Sequence, residues 1–246
     1  MPNYGYSIAD ARLSAVAESV AEIMESYRKA CLKQQTELHR ILTSFSQHDK
    51  AIQLFLTQHA MLHSARMTQT ASWSFEDEVF ADVTEEQIRR IPRACDHSIA
   101  WLIWHMARCE DITMNLLVAG SPQILHRDGW LGRMKITARD TGNAMDEEGI
   151  IKFSDAIDIE ALRAYRVAVG RRTQEIVKQL RPEELKQKVK PSRVERVRDE
   201  GAVVEAASGI VDYWSKRTVA GLLLMPATRH NLVHLNEALQ LKRRRQ

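Results

Sequence analysis

Apolar residues recur every three to four positions along most of this chain and hardly anywhere at alternate positions, a pattern that predicts helices rather than strands. Residues 8–45 place Leu13, Val16, Val20, Ile23, Met24 and Tyr27 at helical spacing among Ala, Glu, Lys and Gln, so they read as one long leading helix. Ser46 to Asp49 is a break, with Asp49 positioned to cap the next helix. Residues 50–67 then form a second amphipathic helix on Ile52, Leu54, Phe55, Leu56, Met61, Leu62 and Met67. Thr84-Glu85-Glu86-Gln87 has the form of a capping box opening a short helix that must stop before Pro92.

The strongest segment runs from Ile99 to about Ala119, entered through Ser98 as a cap and closed by Gly120. It is apolar around most of its circumference, which places it at the centre of a core. Residues 120–155, with their Gly, Pro, Asn and Asp, read as a long connection. A further helix from Asp158 to about Leu180 has Leu162, Tyr165, Val169, Ile176 and Leu180 on its apolar side. Residues 181–202 are highly charged and read as an exposed loop with partial helix. A last helix is expected from Pro226 to about Leu241, the proline in its first turn where the missing N–H costs nothing. The sum is an all-α protein: a four-helix bundle with a long crossover connection over residues 47–246, and an N-terminal helical extension over residues 1–46.

Charge changes this picture little. The net charge of +3 is partly carried by Lys242, Arg243, Arg244 and Arg245, which suit the negative pole of a final helix. No basic stripe interleaved with aromatics occurs elsewhere, so nucleic acid is not an expected partner. The longest apolar run, Ile99 to Trp104, falls far short of the roughly 18 residues that span a bilayer. Cys31, Cys95 and Cys109 cannot all pair and none lies in a CxxC, and Met1-Pro2-Asn3-Tyr4-Gly5 does not open a basic-then-apolar leader. The expected location is therefore cytoplasmic, without a membrane.

Histidine is where chemistry enters. Two of the nine histidine positions start an i,i+4 pair, His59 with His63 and His230 with His234, and that spacing sets both rings on one helical face. Ala227, His230, His234, Ala238 and Leu241 share a stripe, as do Leu102, His105, Cys109, Ile112 and Leu116. Imidazoles on such faces are either hydrogen-bonded core groups or ligands. Cys109 reads as a small buried thiol and Trp101, Trp104 and Trp214 as core packing.

The segment Ser98-Ile-Ala-Trp-Leu-Ile-Trp-His105-Met-Ala-Arg-Cys-Glu110-Asp111 resembles the second-helix motif of the DinB-like superfamily, and Leu224-Met-Pro-Ala-Thr-Arg-His230-Asn-Leu-Val-His234-Leu-Asn-Glu237 resembles its last-helix motif. Leu162-Arg-Ala-Tyr165 and Gly170-Arg-Arg-Thr173 fit the third helix of a subgroup, so the likeness extends over residues 48–242. The resemblance implies a helical bundle, often dimeric, with one divalent metal ion held by His105, His230 and His234. His59, His63 and Arg229 are secondary candidates, as pocket or proton-relay groups. Asn231 is placed to meet a polar substrate, and Asp111 and Glu237 to orient ligand imidazoles. Three imidazoles suit Zn, Ni or Fe. The resemblance further implies a transferase activating a low-molecular-weight thiol toward a small-molecule substrate, in a homodimer. A metal-dependent hydrolase and a non-catalytic metal- or ligand-binding stress-response protein remain the alternatives.

Overall fold

The computed structural model describes residues 8–69, 73–92 and 97–243; the side chains of residues 8–21, 23 and 24 lie outside the description. The side chains of Leu13, Val16, Val20, Ile23 and Met24 in the predicted leading stripe, together with Cys95, Arg244 and Arg245, therefore lie outside the described part. The described residues contain no β-strand, only an isolated bridge between Lys188 and Thr218.

Five long helices carry the architecture. They are α1 (Ile8–Ile41), α2 (His48–Leu62), α3 (Ile99–Asp111), α4 (Ile159–Gln179) and α5 (His230–Arg243). Helix α3 is central, packing on both α4 and α5, and all of its residues are buried. Ser98 caps it, accepting from the Trp101 amide at 3.0 Å. Its path continues through a wide π-type segment, Ile112–Ala119, and ends at Gly120 with φ +69°. The C-terminal part of α1 lies on α2, where Leu38, Ile41 and Leu42 are fully buried. The capping box at Thr84 and Gln87 forms as expected.

Three assignments before the last helix differ from the pattern reading. Gln47, not Asp49, occupies the cap of α2, and Asp49 sits in its first turn beside the positive helix pole. Helix α2 stops at Leu62 because His63 adopts extended backbone, and Ser64 caps a separate short helix, Ala65–Thr68. The stretch 120–155 is not irregular throughout: Asp146 caps a helix over Glu147–Ala156, with Ile150 and Phe153 turned into the core. Within the charged stretch 181–202, the expected partial helix forms at Pro191–Asp199 and buries Val194 and Val197.

The last helical path starts at Val219, well before Pro226, and passes through a π-type turn over Met225–Arg229. A proline inside a helix lacks its N–H and clashes with the preceding turn. The wider turn accommodates both, and it re-aims the residues after it, beginning with His230.

The start of the crossover is pinned by a buried polar knot. Arg108 donates to Asp111 at 3.0 Å, to Tyr165 Oη at 2.8 Å and to Gln123 at 2.6 Å. Asp111 in turn accepts from the Ile124 and Leu125 amides at 2.8 and 3.0 Å. Its oxygens are therefore spent on holding the connection against α3, and it orients no imidazole. That corrects one expectation from the sequence.

Candidate metal centre

His105 projects from α3 with 3% of its surface exposed. Its ring stacks on Trp101, centroids 4.7 Å apart and planes within 9°. Its Nδ1 donates to the Thr141 carbonyl at 2.6 Å, leaving Nε2 as the atom with a free electron pair. The crossover delivers that carbonyl because residue 142 is glycine. Its φ is +77°, and a Cβ there would come within 2.5 Å of the Trp104 ring.

His230 and His234 face His105 from α5. The three ring centroids form a triangle of 5.0 Å (His105–His230), 5.1 Å (His105–His234) and 4.5 Å (His230–His234). Nε2 of His105 and Nε2 of His230 are 3.1 Å apart. Glu237, one turn beyond, accepts from His234 Nδ1 at 2.9 Å, so Nε2 of His234 also carries the free pair. Glu237 thus takes the orienting role expected of it. The bond from His234 and the nearby His97 imidazole hold its carboxyl down at about 2.

Burial lowers His105 to about 4 and His230 well below the usual imidazole range, so both are neutral donors near pH 7. Cys109 Sγ lies 3.8 and 3.9 Å from the two His105 ring nitrogens. With His105 and His230 it makes a trio whose ligand-type atoms all lie within 4.8 Å of one another. Burial pushes its thiol up to about 12, which keeps it protonated in the metal-free protein. The trio opens on a cavity of about 170 Å³ whose wall includes Ile210, Tyr213, Trp214, Met225 and Pro226. Trp214 is therefore more than core packing: one edge of it faces this space.

His59 and His63 do not reach this triangle. His59 projects from α2 and His63 from the extended residue just after it into a second, sealed group, their Nε2 atoms 2.8 and 3.0 Å from the two carboxylate oxygens of Glu110. All three side chains are at most 1% exposed, and their ligand-type atoms again lie within 4.8 Å of one another. Burial pulls His63 down to about 3. Burial alone would raise Glu110, but His63 and His59 more than offset it and hold the carboxyl well below its usual range. Asn231 is fully buried and donates to Glu110 at 2.8 Å, so it meets this cluster and not a substrate, contrary to expectation. Arg229 is exposed and is absent from the cavity wall.

Sequence reasoning missed Glu110 and Thr141. Glu110 had a signal: an acidic residue in a helix apolar on every side must find a buried partner. Thr141 had none, since its contribution is a backbone carbonyl.

A helical bundle with inward-facing histidines on a central and a final helix, beside a small cavity, is a metal-site architecture of the bundle class. Residues 70–238 match the sequence model of the DinB superfamily, more than half of the chain, and the protein belongs to that superfamily. The match begins after α2, so it includes His105, Glu110, His230 and His234 but neither His59 nor His63. A search of curated proteins gives no match. No described helix is long and apolar enough to cross a membrane.

Proposed function

We propose that this protein is a divalent-metal-dependent transferase acting on a low-molecular-weight thiol and a small electrophile, with the ion held by His105, His230 and His234. The observation that carries the reading is the triangle itself, three imidazoles from two facing helices, two of which, His105 and His230, line a cavity. His105 and His230 fit an ion by their ligand atoms, while His234 joins them by ring position and stands outside the close group of His105, Cys109 and His230. Thr141 and Glu237 engage the outer nitrogens of His105 and His234, the pattern that fixes ligand tautomers. Two donors each about 2.1 Å from one ion stand about 3 Å apart or a little more, the separation of the His105 and His230 Nε2 atoms. Zn, Ni and Fe all suit such a donor set.

When bound, a cation with only neutral protein ligands favours an anionic partner and lowers the pKa of a thiol or water beside it. The chain's own groups shape the rest. Ile210, Trp214, Met225 and Pro226 give the electrophile an apolar wall that excludes water. Tyr213 and Asn143 supply the polar edge of that wall. The proposal includes a homodimer in the cytoplasm: α1 leaves Tyr27 and Leu32 partly open, at 37% and 53% exposure, below the part that is packed on α2.

Metal analysis of the purified protein tests the site, and conjugation assays with and without thiol test the chemistry. His105→Ala, His230→Ala and His234→Ala are each expected to lose the ion of this site and all thiol transfer. Ester or amide hydrolysis without thiol would replace the transferase reading by a hydrolase. A metal-loaded protein inert toward a broad electrophile panel would replace it by a binding role. Sedimentation of the full chain tests the dimer.

A further inference from the structure

We propose that His59, His63 and Glu110 form a second divalent-cation site, sealed inside the bundle and separate from the cavity. Two imidazoles, His59 on α2 and His63 just beyond its end, and a carboxylate from α3 make a two-histidine, one-carboxylate set, a donor combination used for Zn and for non-haem Fe. The separations suit it: ligands about 2.1 Å from an ion and at right angles to each other stand about 3 Å apart. The Nε2–oxygen distances are 2.8 and 3.0 Å.

Charge gives the second argument. Glu110 is 0% exposed, and its charge is met by hydrogen bonds from His59, His63 and Asn231 with no permanent cation among them, a balance that a bound cation would complete. The cationic side chain closest in the hydrogen-bonded network, Arg166, is committed to Glu76 at 2.7 Å and to the Leu62 carbonyl at 3.1 Å. It reaches the cluster only through Asn231, at 3.5 Å. In the ion-free protein each Nε2 donates to the Glu110 carboxylate, and Nδ1 of His59 and Nδ1 of His63 have no hydrogen-bond partner among the described residues, so no bond at Nδ1 opposes the tautomer shift that frees Nε2 for an ion.

The surroundings are built for these rings. A Cβ at residue 170 would stand 2.8 Å from His63 Nδ1 and 2.5 Å from Met67 Sδ, so glycine at that position of α4 leaves the space that His63 occupies. Asn231 holds the carboxylate from α5 at 2.8 Å. An ion here ties His59 and His63 to α3, with Asn231 of α5 bonded to its carboxylate, and its ligands are at most 1% exposed, which makes it a slowly exchanging structural ion.

The test is zinc stoichiometry on the full chain, refolded with excess Zn²⁺ and desalted, followed by release to a chelator. Wild type is expected to hold two ions, one released at least about 100-fold more slowly, at the rate of the opening of the bundle. His105→Ala is expected to keep the slow ion, and Glu110→Gln, which preserves shape, to keep only the fast one. Should Glu110→Gln fail to fold, His59→Asn and the two-phase release of wild type decide. A single ion that is insensitive to Glu110→Gln, or one fast phase only, overturns this proposal and leaves the three-histidine site standing. A single slow ion that is lost in Glu110→Gln and kept in His105→Ala supports it and overturns the three-histidine site.

Discussion

Helix α3 presents His105 to one side and Glu110 to another, and the two groups built on them differ in the two properties that matter for reactivity. The His105 group offers imidazoles with no carboxylate among them and borders a cavity of about 170 Å³. The Glu110 group holds a carboxylate and is at most 1% exposed. Neutral donors beside open space leave an ion's charge available to a small molecule. A carboxylate in a sealed interior satisfies charge internally and holds helices in register. Five residues of one helix thus separate a place suited to chemistry from one suited to architecture.

The sharpest way to break this contrast is Glu110→Ala. It leaves two imidazoles and Asn231 without their shared acceptor inside the core, and the expected loss is about 3–5 kcal/mol of unfolding free energy in urea. A loss below about 1 kcal/mol would mean that the cluster is not the helix tie it resembles.

Acid provides the next test, on metal-free protein. His105 falls to about 4 and His63 to about 3 in the folded state, against an imidazole value of 6.5 in the unfolded chain. The unfolded state therefore binds more protons below pH 6.5. Stability is full above that value and is lost as pH falls toward 4, by about 3 kcal/mol for His105 alone. Urea midpoints across pH 4 to 7.5 measure it, and His105→Ala is expected to flatten part of the slope.

Gly170→Ala probes the sealed side more gently. The added methyl meets His63 and Met67, and an overpacked site of this kind costs about 1–3 kcal/mol. The loss is expected to shrink in a Met67→Ala background, as a double-mutant cycle would show. The smallest expected effect belongs to the cavity side. Glu237→Gln weakens the orientation of His234 and is expected to reduce metal affinity about tenfold without changing the fold, as metal titration would report.

The elements whose periodicity was long and unbroken were legible from sequence, because a helix that must bury one face writes that face every three to four residues. Helices α3 and α4, with their caps Ser98 and Asp158, are of this kind. The helix Glu147–Ala156 was not, since ten residues with an acidic first turn and only Ile150, Phe153 and Ser154 buried leave too short a stripe. Likewise the His230–His234 spacing announced a shared face, while Asn231, adjacent to it, was misassigned because its partner lies on another helix.

By itself, then, the sequence determined an all-helical bundle, its central helix and the shared face of His230 and His234, since each follows from periodic burial within a single helix; the grouping of His105 with that pair came from the family resemblance. Only the tertiary structure decided what those histidines meet. Thr141 reaches His105 through a backbone turn that Gly142 permits, and Glu110 finds His59 and His63 across 51 and 47 residues of chain. Pairings of that range leave no periodic trace in sequence, because they depend on how whole helices pack rather than on how any one of them turns.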